Sequence, residues 1–286
     1  MERYFIGIQY KDKNNAGSKA PEDIEVILKN LNYKPIYISR YYKIKWLESL
    51  KFDKILNLFK SIINWLKIFF LVSKESVLVV QHPVIKQSPR IIFYSLKLIK
   101  SIKKCKTVAI VHDLESLRLG TTGIKMNNNR LQFRDHILLK EYNYVICHNN
   151  NMKNYLISCG FKKSQLIKLS LFDYLHLSIP EKRKSKNLPI IIAGNLLPTK
   201  SGYIYKLEDI NKKIKFNLYG PNYDETKSFN FLNYCGQYSP EELPKHLSGS
   251  FGLVWDGDSI ETCSGNTGNY LKYNSPHKLS LYLASG

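Results

Sequence analysis

Residues 251–286 read FGLVWDGDSIETCSGNTGNYLKYNSPHKLSLYLASG, and the fold class turns on this stretch. Phe251-Gly252-Leu253-Val254-Trp255 has the length and apolar content of a buried strand, and it ends in Asp256-Gly257-Asp258. A polar loop follows, in which Gly265 and Gly268 bracket Asn266 and Thr267. Ser275 and Pro276 then mark a helix start, with Ser275 as N-cap and Pro276 at the first helical position. Leu279, Tyr282 and Leu283 recur at i, i+3, i+4, and Gly286 sits where a glycine closes a helix. Lys278 falls in the first turn, where the helix dipole disfavours a cation. An anion docked there would remove the conflict, and a helix start, a lysine and a glycine-bearing loop together suit a phosphate. The plainer alternative is a lysine turned into water.

Outward from this stretch, apolar strands alternate with helices along the whole chain. Strands are expected at 4–9, 35–39, 77–81, 107–111 and 144–147, and helices at 21–31, 91–103, 129–141 and 152–159. Residues 171–189 change character, with Pro180 and the charged run Glu181–Asn187, and read as a linker. The pattern restarts with Ile190–Ala193 ending in Gly194-Asn195, a helix around 203–210, Phe216–Tyr219 ending in Gly220-Pro221, and a short strand at 231–235. Ser239-Pro240-Glu241-Glu242 is a capped helix start. The expected organisation is a first domain at 1–170, a linker at 171–189 and a second domain at 190–286, each a parallel sheet covered by helices. Ligands in such sheets sit beyond the carboxyl ends of the strands. Gln81-His82, His112-Asp113 and His148-Asn149 occupy those places in the first half. After Gly286 a βα domain would ordinarily add another strand and helix, so the second domain is expected to be incomplete.

The 286 residues suit two domains, and 44% apolar content supplies real cores. A net charge of +20 calls for an acidic partner: nucleic acid, an anionic lipid surface or a phosphorylated small molecule. The excess is mostly lysine and is spread along the chain, whereas base readers lean on arginine forks. No RRM, KH or zinc pattern is present, so a basic nucleic-acid-binding protein is the lesser reading. Five scattered cysteines without a C-x-x-C pair argue against zinc and for reduced thiols in the cytoplasm. Residues 44–72 form an amphipathic basic stretch with Trp46, Trp65, Phe69 and Phe70. It is a candidate for peripheral contact at the inner face of the membrane, against the commoner packing of such a helix on a sheet. P-loop, dinucleotide, G-x-S-x-G and H-E-x-x-H motifs are all missing.

Paired parallel-sheet halves with a Ser-Pro-x-Lys helix start in the second resemble the GT-B glycosyltransferases. The closer resemblance is to bacterial galactofuranosyltransferase-like and Gtf-three-type glucosyltransferases of surface-glycan assembly. It rests on AGSKAPEDI (16–24), HDLESLR (112–118), IIIAGNL (190–196), FNLYGP (216–221) and the 251–286 stretch. The resemblance implies two Rossmann-like domains facing a crevice, with transfer of galactofuranose or glucose from a UDP-sugar to a glycan acceptor on lipid or protein. It implies Asn195 and Tyr219 facing the nucleotide, Asn274 and Lys278 on the diphosphate, Asp256, Asp258 and Thr267 along the donor sugar, and Ser18 and Lys19 approaching from the first domain. Asp113 and His112 are the candidate general bases. Many GT-B enzymes carry a glutamate three residues after the lysine, where this chain has Leu281. No metal is expected: Asp256-Gly257-Asp258 spells the D-x-D of GT-A enzymes but lies near the end of a second sheet. The rival readings are a GT-B epimerase, and an inactive fragment completed by a homologous subunit in an oligomer.

Overall fold

The computed structural model describes residues 1–8, 16–39, 52–119, 133–176, 188–210, 213–227 and 229–286. The first part of the basic stretch (44–51, with Trp46), the start of the helix expected at 129 and most of the expected linker (177–187) lie outside them. The chain divides into two compact units. One holds the N-terminal strand, Ile24–Ser116 and the described chain from Phe133 to Leu169; the other holds Ser170–Gly286 together with the first half of the first helix, up to Asp23, and residues 117–119.

In chain order the elements up to Leu169 run β1 (Arg3–Ile8), α1 (Ala16–Asn30), β2 (Lys34–Ile38), α2 (Phe52–Leu71), β3 (Val77–His82), α3 (Pro89–Lys103), β4 (Lys106–Val111), α4 (Glu115–Leu119), a wide helical turn (Phe133–Leu138), β5 (Tyr144–Cys147), α5 (Asn150–Ser158) and β6 (Leu166–Lys168), and the strands among them form the sheet of the first unit. This sheet has the order β2-β1-β3-β4-β5-β6, and every pair is parallel. The strands are near-continuous apolar runs because helices cover both faces. Leu78, Val80, Ala109, Val111, Val145 and Cys147 have no exposed surface. Pro21 does not open α1 as expected but lies inside it; the helix begins at Ala16. Asn149 serves local structure, its side chain accepting the Met152 N–H at 3.0 Å as the N-cap of α5.

The second unit runs β7 (Ile190–Ala193), α6 (Pro198–Ser201) continuing as a 3-10 helix (Gly202–Asp209), β8 (Phe216–Tyr219), β9 (Leu232–Tyr234), α7 (Leu243–His246), β10 (Phe251–Gly252), α8 (Gly265–Tyr270) and α9 (His277–Ala284). Its parallel sheet has the order β10-β7-β8-β9. One face packs Ile192, Leu196, Ile204, Leu218 and Phe216 together; the other packs Ile191, Ala193, Tyr219, Leu247 and Leu281.

Three expectations for residues 251–286 are corrected here. The strand is two residues, not five. Leu253 N–H still reaches the Ile191 carbonyl at 2.8 Å, but the next ladder bond is intercepted. The Tyr282 hydroxyl accepts the Ala193 N–H at 2.8 Å and donates to the Leu253 carbonyl at 3.2 Å, so it stands where β7 and β10 would have joined. Gly252 makes room for that ring: a Cβ there would fall 2.2 Å from Tyr282 Cγ. The glycine-bearing loop contains the short helix α8, and α9 starts one residue later than expected. Pro276 occupies the cap position with φ −66° and ψ 134°. The Ser275 hydroxyl is not a cap; it donates to the Ser170 carbonyl at 2.6 Å. Gly286 keeps its expected role, at φ 83° one residue past the C-cap Ser285.

Candidate functional site

In a parallel sheet all carboxyl ends lie at one edge. In the second unit that edge is made by Gly194-Asn195 after β7, Gly220-Pro221 after β8 and Asp256–Asp258 beyond β10. Both strand-end glycines have positive φ, 144° at Gly194 and 137° at Gly220. A Cβ on Gly220 would sit 1.8 Å from the Gly194 carbonyl oxygen, so a side chain is excluded there by close approach, whereas at Gly194 the positive φ alone favours glycine. Asn195 Oδ1 accepts from the Leu197 N–H and from Asn222 Nδ2, both at 3.0 Å, and so fixes the turn after β7. Tyr219 does not reach this edge. Its ring is buried in the core, and its hydroxyl accepts the Ser248 N–H at 3.0 Å. The expectation that it faces a nucleotide is corrected on that ground: inward-facing positions on a covered sheet are taken by the core.

The Asp256–Asp258 turn is tied to α6. Gly257 N–H donates to the Lys200 carbonyl at 2.7 Å, and the Tyr203 N–H donates to the Gly257 carbonyl at 3.1 Å. Lys278, in the first turn of α9, donates to Asp256 Oδ1 at 2.8 Å and to the Trp255 carbonyl at 3.1 Å. Both side chains are mostly buried, 18% exposed for Lys278 and 8% for Asp256. Burial lowers the Lys278 pKa from its ordinary value, Asp256 pulls it back up, and the neighbouring Lys200 pushes it down. Two lysines therefore share this edge, and Asp256 pairs with Lys278. Lys200 escaped the sequence reading, although Pro198-Thr199-Lys200 repeats the Pro-x-Lys spacing of Pro276-His277-Lys278.

Asp258 is exposed, and its carboxylate takes a short hydrogen bond from the Ser264 hydroxyl, whose oxygen in turn accepts the Asp258 N–H at 2.9 Å. The Ser264 bond holds the Asp258 carboxyl below its ordinary pKa. The two carboxylates of the D-x-D thus engage different partners. Thr267 lies half-buried on α8, where Gly268 packs against Asp256: a Cβ on that glycine would fall 2.6 Å from the Asp256 carbonyl. Asn274 is half-buried just before α9.

The start of α9 is anchored to 170–175 by side chains that sequence reading had not linked. Ser280 Oγ donates to the Phe172 carbonyl at 2.6 Å, and His277 Nε2 lies 3.0 Å from the Asp173 carbonyl with its ring stacked 4.9 Å from Tyr174. Burial lowers the His277 pKa, so the neutral ring donates to that carbonyl. Lys19 belongs to the same cluster. Its ammonium pairs with Asp23 Oδ1 at 2.7 Å and donates to the Leu175 carbonyl at 2.9 Å. Asp23 Oδ2 accepts the Leu175 N–H at 3.1 Å and lies 4.0 Å from His277. Lys19 is thereby brought to the neighbourhood of α9 in a structural cluster, and Ser18 beside it is buried.

His112 and Asp113 follow β4 in the first unit, on a loop held at several points. The His112 N–H donates to the His82 carbonyl at 2.8 Å, and its Nε2 lies 2.6 Å from Gln81 Oε1. Asp135, fully buried, accepts the Ser116 N–H at 2.5 Å and lies 3.3 Å from His82 Nε2. His148 Nε2 donates to the Val111 carbonyl at 2.7 Å. Among the described residues, no group of three or more His, Cys, Asp or Glu is placed to hold a metal ion.

The glucosyltransferase 3-like N-terminal domain matches residues 3–171, and the glucosyltransferase 3-like C-terminal domain matches residues 190–286. The beta-1,6-galactofuranosyltransferase WbbI of Escherichia coli (strain K12) is 35% identical over 213 residues. That match covers 73% of this chain and 58% of the relative, so the chain spans little more than half of the relative's length. Among solved structures, the lipopolysaccharide outer core galactosyltransferase WaaB superposes with a TM-score of 0.53 at 12% identity, covering 84% of this chain and 69% of that one. The α,α-trehalose 6-phosphate synthase from Burkholderia multivorans superposes with a TM-score of 0.54 at 9% identity, covering 100% and 89%. At such identities the likeness concerns the fold, which is GT-B with its two parallel-sheet α/β domains. With both family domains matched in order along its length, the chain belongs to the glucosyltransferase 3-like family.

Proposed function

We propose that this protein is a glycosyltransferase that moves a hexose from a UDP-sugar to a glycan acceptor. The observation that carries this reading is the pair Lys278 and Lys200 at the carboxyl edge of the second sheet, with Lys278 at the start of α9 and held in place by Asp256. A diphosphate is the ligand such an edge favours: two cations, a helix N-terminus and a glycine-lined approach at Gly194 and Gly220. Asn195 and Asn274 would flank the nucleotide, and Asp258 and Thr267 the donor sugar. The name of the Escherichia coli relative favours galactofuranose as the sugar, and the family name favours glucose.

In the reaction the bond from the anomeric carbon to the diphosphate oxygen breaks, and a bond to the acceptor oxygen forms. The electron pair leaves on UDP, where Lys278 and the α9 N-terminus stabilise the charge without a metal. The acceptor proton passes to Asp113, with His112 beside it. Isothermal titration with UDP tests the site. Lys278→Ala should weaken UDP binding about tenfold or more, and Lys200→Ala should do so to a smaller degree. Equal affinity in Lys278→Ala and the unaltered protein would remove Lys278 from the site. A screen of UDP-sugars with mass detection of product identifies the donor.

A further inference from the structure

In the first unit, α2 and α3 pack side by side. The Ser88 N–H at the start of α3 donates to Ser61 Oγ of α2 at 2.9 Å, and the Lys103 ammonium at its end lies 5.1 Å over the Phe69 ring. Trp65, Ile68, Ile92, Leu96 and Ile99 form their buried sides. Their outer sides are apolar as well. On α2, Ile55, Phe59, Ile63, Leu66 and Phe70 follow helical spacing and are exposed, Phe59 at 60%, Ile63 at 65% and Phe70 at 74%. On α3, Tyr94, Leu98 and Ile102 recur every four residues and are exposed, Tyr94 at 66%. A surface helix ordinarily turns charge outward, and a continuous apolar face on two adjacent helices marks a contact surface.

The charge around this face is predominantly positive. From Phe52 to Lys103, the start of α2 to the end of α3, the sequence carries two acidic residues, Asp53 and Glu75, against nine lysines and arginines. The Lys97 ammonium lies 4.3 Å over the Phe93 ring, an arrangement that keeps the stem on apolar surface and the charge at its rim. Glu141 approaches Lys97 and Lys100 at 3.9 and 4.0 Å but leaves the excess positive. A second copy of the chain would set this excess against itself, whereas an acidic bilayer complements it.

We propose that the α2–α3 face docks on an anionic lipid bilayer. The two helices lie in the plane of the interface, with Phe59, Ile63, Phe70 and Tyr94 entering the boundary between headgroups and acyl chains and the lysines meeting lipid phosphates. No helix among the described residues is long and apolar enough to cross a membrane, so the contact is peripheral.

Co-sedimentation of the full chain with phosphatidylglycerol–phosphatidylcholine vesicles, against pure phosphatidylcholine vesicles, is the test. Binding to the anionic vesicles should exceed binding to neutral ones and fall with added salt. The triple variant Phe59→Ser/Ile63→Ser/Phe70→Ser should bind about tenfold or more weakly, with UDP affinity unchanged. Lys60→Gln/Lys97→Gln should keep apolar contact and reduce the preference for anionic vesicles several-fold; this variant reads the charge term even if the triple variant folds poorly. Failure of the unaltered chain to sediment with anionic vesicles would overturn the proposal, as would equal binding by a folded triple variant or an unchanged preference in the lysine variant. A dimer that the triple variant dissolves, without vesicle binding, would assign the face to a second copy instead.

Discussion

The Lys278 ammonium lies 2.8 Å from Asp256 Oδ1, so the misplaced cation in the first turn of α9 faces a carboxylate of its own chain. The dipole at a helix N-terminus disfavours a cation by a few tenths of a kcal/mol or more. A nearby carboxylate offsets that and also part of the desolvation of a mostly buried ammonium. Asp256→Asn should therefore destabilise the protein by about 2 kcal/mol, less than the roughly 3–5 kcal/mol of a fully buried pair because Lys278 retains some water. Lys278→Met added to Asp256→Asn should restore part of the loss, since the uncompensated charge is gone. Urea denaturation at neutral pH measures both; an unshifted midpoint in Asp256→Asn would mean that the ammonium is solvated rather than paired.

Tyr282→Phe tests the hydroxyl that bridges β7 and β10. Without it the Ala193 N–H and the Leu253 carbonyl lose their partner, and the strand ends are too far committed to the turn at Asp256 to close on each other. The expected cost is about 1–3 kcal/mol, the range for buried polar groups left unmade. A neutral substitution would show that β10 extends when the hydroxyl is removed, and amide exchange at Ala193 would then slow.

The glycine pair at the strand ends gives a sharper contrast. Both have positive φ, so Ala at either is strained by about 1–2 kcal/mol. Gly194→Ala meets nothing within 4 Å, whereas Gly220→Ala drives its Cβ to 1.8 Å from the Gly194 carbonyl oxygen. Gly220→Ala should be the more destabilising by a clear margin in chemical denaturation. Equal losses would mean that φ strain, and not the close approach, governs both positions.

Strand and helix alternation was legible in the sequence because parallel strands buried on both faces are written as unbroken apolar runs, such as Val77–Val80 and Ile190–Ala193. The polar strand ends were legible for the same reason, since the apolar runs stop where the strands stop, although Gln81, His82 and His148 at those ends are buried. What composition could not show is which polar group meets which. Ser275 has the residue type of a cap, yet its hydroxyl goes to the Ser170 carbonyl, more than a hundred residues away in the chain. Tyr219 sits at a strand end like Asn195, but the sheet's alternation turns its ring inward. The length of β10 was misread because its terminator, the Tyr282 hydroxyl, arrives from a helix thirty residues later. Lys200 and the Asp23–His277 contact were hidden likewise by distance along the chain.

His148 makes the fold itself sensitive to acid next to the candidate base. Its imidazole is buried and donates Nε2–H to the Val111 carbonyl, immediately before His112-Asp113. Burial lowers its pKa from 6.5 to about 4. The folded-state value lies below the unfolded one, so the unfolded chain binds more protons between the two. The contribution of neutral His148 is fully present above about pH 6.5 and is lost as the pH falls toward 4, in total about 3 kcal/mol. His136 and His277, also lowered by burial, act in the same direction. Comparison with His148→Gln isolates the one residue: the amide keeps a donor for Val111 but does not titrate. Stability at pH 7 minus stability at pH 4.5 should be smaller in His148→Gln than in the unaltered protein by about 2 kcal/mol. Identical differences in urea melts at the two pH values would show that the ring is protonated, or solvated, in the folded state.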